Sequence, residues 1–217
     1  MTGLIDGVQP WLVSVCRVLG SRLARVVFQL RVEGAEHVPR TGAVLLAGNH
    51  TGFVDGPLVF LLAPRPAAML AKAEIFRGVL AVLFRWIGLV PVLRGTPDRN
   101  ALTQGLAQLS AGGALGVFPE GTRGSGTFDQ ITDGLAYLAL RSGAPVVPVA
   151  VLGTAHAWGH GSSLPRLRAP VGIVFGPAIR LTVDGDRRAR RTVSLAAEQL
   201  RRGLVDHLQA ATGGDLL

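Results

Sequence analysis

Apolar residues in the first thirty positions recur at spacings of three and four: Leu4, Val8, Trp11, Leu12, Val15, Val18, Leu19, Leu23, Val26, Val27 and Leu30. On a helical wheel they cover roughly half the circumference, which predicts an amphipathic helix with a broad apolar face. Arg17, Arg25 and Arg31 fall off that arc, and Arg22 falls within it. A helix with arginines and a tryptophan in this arrangement suits a membrane interface. The plainer alternative is a helix that packs on the protein's own core, and the net basicity of the chain favours the membrane. Residues 1–34 are therefore read as an N-terminal helical segment, distinct from a main domain over 35–217.

From Gly42 onward the pattern changes to short apolar runs alternating with amphipathic stretches. Strands are predicted over 43–47, 67–71, 89–93, 114–118, 145–152, 171–175 and 179–183. Helices are predicted over 57–62, 75–87, 98–110, 131–142 and 192–209. Strands alternating with helices imply an α/β fold with a mostly parallel central sheet flanked by helices. Such sheets hold ligands at the carboxyl ends of their strands. Two polar turns fall at such ends, Gly48-Asn49-His50-Thr51-Gly52 and Pro119-Glu120-Gly121-Thr122-Arg123.

Composition narrows the classes. The chain has 217 residues, 48% of them hydrophobic, which excludes disordered and fibrous readings. The net charge of +8 rests almost wholly on arginine, with Lys72 the single lysine. Codon bias in a GC-rich genome explains that preference as well as function does. A basic surface attracts phosphates, whether of nucleic acid, anionic lipid or a small ligand. Cys16 stands alone in an apolar stretch, so no internal disulfide is expected and a reducing compartment is implied. The start carries Asp6 and no basic run, so no secretory signal is read there, and no membrane-spanning helix is predicted.

Three segments carry candidate chemistry. In the first, His50 is followed five residues later by Asp55 in a strand-to-helix turn rich in glycine. At this spacing the carboxylate can fold back onto one imidazole nitrogen, fix the tautomer and leave the other nitrogen as a base. A capping aspartate beside an incidental histidine is the plainer alternative. A metal site is not expected, because no third ligand has suitable spacing. In the second, Val117-Phe118-Pro119-Glu120-Gly121-Thr122-Arg123 ends a buried strand with an acid, a hydroxyl and a planar cation, a set suited to a phosphate or glycerol headgroup. Pro119 to Thr122 is also a competent β-turn. In the third, Arg94 ends an apolar strand beside Gly95, as Lys72 ends the strand at 67–71. Either could contact phosphate or simply be solvated.

Taken together, these segments resemble a family. His50-x4-Asp55, the Arg94 segment, Phe118-Pro119-Glu120-Gly121-Thr122-Arg123 and Val146-Val147-Pro148-Val149 follow the order and spacing of the four blocks of the glycerolipid acyltransferases. The resemblance runs over about residues 35 to 180 and is strongest to the bacterial 1-acyl-sn-glycerol-3-phosphate acyltransferases. Ala71-Lys72-Ala73-Glu74-Ile75-Phe76 also looks like a segment those enzymes carry. Two departures touch the implied acceptor pocket. Leu93 precedes Arg94 where many relatives have a polar residue, and Asp129 and Asp133 stand where relatives often carry a lysine.

The resemblance implies that His50 and Asp55 are catalytic. It implies that Arg94, Glu120, Gly121, Thr122 and Arg123 hold the acceptor's phosphate and glycerol, with Lys72 as a further contact. Acyl-CoA or acyl-carrier protein would be the co-substrate, and lysophosphatidic acid the acceptor, with no cofactor and no metal. The expected setting is the cytoplasmic face of the cell membrane, with the chain peripheral or monotopic on anionic lipid. Another lipid acceptor and a non-catalytic lipid-binding protein are the competing readings. Nucleic acid is not an expected partner: no aromatics interleave with Arg187, Arg188, Arg190, Arg191, Arg201 and Arg202. His37, His156, His160 and His207 lack comparable partners, and Trp158 lies in a glycine-rich loop.

Overall fold

The structure, a computed structural model, describes residues 8–93, 98–121, 125–157, 165–182, 186–187 and 189–213. It is an α/β fold whose seven-stranded sheet has the order β1-β7-β6-β2-β5-β3-β4. The strands are β1 (Phe28–Glu33), β2 (Val44–Gly48), β3 (Ala67–Lys72), β4 (Leu89–Val92), β5 (Ala114–Val117), β6 (Val146–Leu152) and β7 (Ala169–Phe175). Every pairing is parallel except β6 with β7, so β1 and β7 run against the other five.

The helices are α1 (Pro10–Val27), α2 (Asp55–Leu62), α3 (Gly78–Trp86), α4 (Arg99–Ser110), α5 (Asp133–Ser142), α6 (Thr154–Ala157) and α7 (Arg190–Thr212). They cover both sheet faces, and successive strand residues divide between them. Val44 and Leu46 of β2 join Val147, Val149 and Val151 of β6 in a core with Val13 and Ala24 of α1 and Leu58 and Val59 of α2. Leu45, Ala47 and Val146 face the other way, onto Leu109, Leu135, Leu138, Leu200 and Leu204 of α4, α5 and α7. Burial on both faces is why β2, β5 and β6 read as unbroken apolar runs.

Local chemistry sets the boundaries. Asp98 caps α4, its Oδ1 accepting from the N–H groups of Asn100 and Ala101, while its Oδ2 accepts from Leu93 N–H at 2.8 Å and ties down the end of β4. Gly143, in the left-handed conformation, ends α5.

The amphipathic N-terminal pattern does form a helix, but a shorter one. The chain leaves the helical path at Val27, and Phe28–Glu33 becomes β1, paired with β7. In that segment inward and outward residues alternate. This period-two signal overlaps the end of the helical one, so the predicted helix overran it. The strand expected at 179–183 is also absent over its described residues, where Ile179 makes only an isolated bridge to Val146.

Arg17, placed off the apolar arc, faces α2. Its guanidinium donates to the carbonyls of Phe60, Ala63 and Arg65, around the C-terminal end of that helix. Burial lowers its pKa from the usual arginine value. The apolar stripe of Trp11, Val15, Val18, Leu19, Leu23 and Val26 therefore points outward, with Trp11 65% and Leu23 64% exposed. Among the described residues no helix is long and apolar enough to cross a membrane.

Candidate active site

The parallel register brings the two polar turns together. Ala47 of β2 is level with Val117 of β5, so the turns that follow leave the sheet side by side at its carboxyl edge. Gly48 is what lets them meet. A Cβ there would lie 2.9 Å from the ring of Phe118, closer than real contacts allow. With hydrogen at that position, the Phe118 ring packs against the imidazole of His50, centroids 4.6 Å apart and 30° from parallel.

Asp55 opens α2 and is fully buried. Its Oδ2 accepts from His50 Nδ1 at 2.9 Å and from the backbone N–H groups of Thr51 and Gly52, both at 2.7 Å. Three N–H donors, two of them backbone, thus converge on one carboxylate oxygen at the start of α2. An anionic acceptor opposite Nδ1 places the imidazole proton on Nδ1, leaving Nε2 with its lone pair free. Asp55 Oδ1 is buried and has no hydrogen-bond partner among the described residues. The His50 side chain is 12% exposed, enough for one edge to reach solvent or substrate.

The turn is held from the β6 side as well. Asn49 is buried, its Oδ1 accepting from Val151 N–H at 2.7 Å and its Nδ2 donating to Val151 C=O at 3.0 Å. Thr51 Oγ1 lies 3.1 Å from Oγ1 of Thr154, the buried first residue of α6. Gly52 is needed here, since a Cβ would come within 2.8 Å of that hydroxyl and 3.1 Å of Asp55 Oδ1.

Glu120 lies in the adjacent turn, where Gly121 N–H donates back to Phe118 C=O at 3.1 Å. Its Oε1 accepts from Phe128 N–H at 3.0 Å. Burial pushes the Glu120 carboxyl above the usual range, opposed chiefly by the Phe128 N–H and by the backbone of His50. Phe128 itself is buried at φ 57°, a conformation that bulky residues seldom adopt.

Of the residues picked out from sequence, the structure thus gathers His50, Asp55, Glu120 and Gly121. Lys72 ends β3, two strands along from β2, and forms an exposed ion pair with Glu74 at 3.2 Å. Arg94, Thr122 and Arg123, with His160 and Trp158, lie outside the described residues. His156 lines a separate open cavity of about 430 Å³ with Arg166, Leu167 and Pro170. Among the described residues no three of His, Cys, Asp and Glu come together as a metal-ligand group. The sequence reading missed the parts played by Asn49, Phe118 and Thr154. Asn49 and Phe118 stood inside recognised motifs, whereas Thr154 carried no signal, because its partner is 103 residues away.

The chain is similar to known proteins in sequence and in fold. A family model described as Acyltransferase matches residues 29–152, from β1 through β6. The chain belongs to the acyltransferase family. Among its relatives, the 1-acyl-sn-glycerol-3-phosphate acyltransferase of Borreliella burgdorferi is 29% identical over 128 residues, covering 57% of this chain and 51% of the relative. The enzyme of the same name from Limnanthes alba is 29% identical over 164 residues, covering 71% and 57%. The one from Bacillus subtilis is 28% identical over 141 residues, covering 59% and 67%. The chain thus spans about half the length of the first of these relatives and somewhat more of the others. The crystal structure of the 1-acyl-sn-glycerophosphate acyltransferase PlsC from Thermotoga maritima superposes with a TM-score of 0.66 at 25% identity, covering 91% of this chain and 80% of that one.

Proposed function

We propose that this family member transfers a fatty acyl group from acyl-CoA or acyl-carrier protein to the sn-2 hydroxyl of lysophosphatidic acid, giving phosphatidic acid. The observation that carries the reading is the His50–Asp55 pair, held at 2.9 Å by a buried carboxylate at the carboxyl edge of the sheet. The names of the similar enzymes support the acceptor.

His50 Nε2 takes the proton of the acceptor hydroxyl as its oxygen attacks the thioester carbonyl. Asp55 keeps the proton on Nδ1 and stabilises the imidazolium that forms. The tetrahedral intermediate collapses, the C–S bond breaks, and the proton on Nε2 passes to the departing thiolate. Glu120 and the turn at Gly121, with Thr122, Arg123 and Arg94, hold the glycerol phosphate, and Lys72 is a further contact. The exposed stripe on α1 lies in the headgroup region of the cytoplasmic leaflet, with the net charge of +8 drawing the chain to anionic lipid.

The test is thiol release from acyl-CoA with lysophosphatidic acid as acceptor, repeated with glycerol 3-phosphate and a lysophospholipid. General-base catalysis is typically worth roughly 100- to 10,000-fold. His50→Ala should lose at least that much while staying folded. Normal turnover by a folded His50→Ala protein would overturn the mechanism, and preference for another acceptor would overturn the substrate assignment.

A further inference from the structure

His50 is the middle residue of a three-residue span tied to β6 at one end and to the first residue of α6, just beyond β6, at the other. The backbone ladder between β2 and β6 finishes with Gly48 opposite Val149. One residue on, the Asn49 side chain takes over from the backbone, its amide pairing with both the N–H and the C=O of Val151. One residue beyond His50, the Thr51 hydroxyl meets the Thr154 hydroxyl at 3.1 Å. Asn49 is 3% exposed and Thr154 1%, so water does not compete for the Asn49 pair and reaches the threonine pair only from the half-buried Thr51 side. Asp55 and Phe118 orient the imidazole ring, but neither fixes where the His50 backbone stands relative to β6.

We infer that Asn49 and Thr154 are positioning residues for the general base, setting the place of His50 at the sheet edge without touching substrate. This rests on the reading of His50 as the base. A buried amide that replaces a ladder pair permits one position only, because moving the turn outward strands the Val151 N–H and C=O without partners. The threonine pair blocks the remaining freedom, rotation of the turn about Asn49. A misplacement of the reacting group by about 1 Å can cost roughly 100-fold in rate.

The deciding variants are Thr154→Val, which keeps the shape and removes the hydroxyl, Thr154→Ser, which keeps the hydroxyl, and Asn49→Asp, which replaces the donor facing Val151 C=O. All are assayed by thiol release in the full chain, normalised to folded protein by near-ultraviolet circular dichroism, beside His50→Ala. Thr154→Val should lower kcat about 10-fold and Asn49→Asp about 100-fold, with KM for the acyl donor within about twofold of the parent. Thr154→Ser should recover most of the rate. A folded Thr154→Val protein with parental kcat, or one whose loss lies in KM, overturns the inference while an inactive His50→Ala leaves the base assignment standing. An active His50→Ala overturns that assignment instead.

Discussion

Replacing Asp55 by asparagine removes one charge and almost no volume, and the structure says what remains. Oδ2 faces three N–H groups, the two backbone donors at 2.7 Å and His50 Nδ1 at 2.9 Å. An amide nitrogen cannot occupy that place, so the asparagine must present its oxygen there and turn its NH2 toward the buried Oδ1 position. The imidazole therefore keeps its proton on Nδ1, and Nε2 stays basic. What is lost is the stabilisation of the imidazolium. The difference between a charged and a neutral hydrogen bond sets a floor of about 1 kcal/mol. Coulomb attraction at this separation, with an effective dielectric of about 20, sets a ceiling of about 6 kcal/mol. His50 is partly open to solvent, which argues for the middle of the range, about 3 kcal/mol or roughly 150-fold in kcat. The NH2 meets a site with no partner among the described residues, costing about 1–3 kcal/mol of stability. A chain of this length should then lose about 2–4 °C in Tm per kcal/mol. Steady-state thiol release gives kcat, and nitrogen chemical shifts of His50 report the tautomer. An Nε2–H tautomer in Asp55→Asn would refute the argument from the backbone donors. A parental rate would refute the role given to the charge.

Two further outcomes follow from features away from the dyad. Leu19→Glu and Leu23→Glu on the exposed stripe of α1 should each weaken sedimentation with vesicles containing anionic lipid by about 2 kcal/mol, roughly 30-fold, with the fold unchanged; unaltered binding would place the lipid contact elsewhere. Burial holds the His207 pKa below its ordinary value, with nearby His37 acting the same way against the Val174 carbonyl that accepts from its Nε2. The unfolded chain then binds this proton more readily, so the stability contributed by neutral His207 is complete above about pH 6.5 and falls as pH drops below it. Denaturation of His207→Gln between pH 7 and 5 should show a shallower decline than the parent.

How far the sequence could be read depended on the range of the interactions involved. Strands buried on both faces, such as β2 and β6, were legible as apolar runs, and Asp98 marked the start of α4. His50 and Asp55 were legible because they lie five residues apart in one turn, so local geometry alone can join them. Asn49 looked like ordinary turn polarity, since its partner is the backbone of Val151, 102 residues on, and backbone carries no sequence signal. Thr154 was hidden by distance alone, since its partner is the Thr51 hydroxyl 103 residues earlier. β1 was lost because Phe28 to Glu33 satisfies a helical period and an alternating one equally, and only the presence of β7 decides between them. On α1 the apolar arc was plain, but which side would face out depended on Arg17 finding the end of α2.

The place of β1 in the sheet has a consequence for how the chain assembles. Among the described residues its single sheet neighbour is β7, with Phe28 level with Ala169, so this edge cannot zip until residues 169–174 have left the ribosome. Contacts so distant in sequence form late and slow the overall rate. The turn bearing His50 waits in the same way for Val151. During synthesis α1 therefore emerges with its oily stripe long before the strands that complete the sheet behind it.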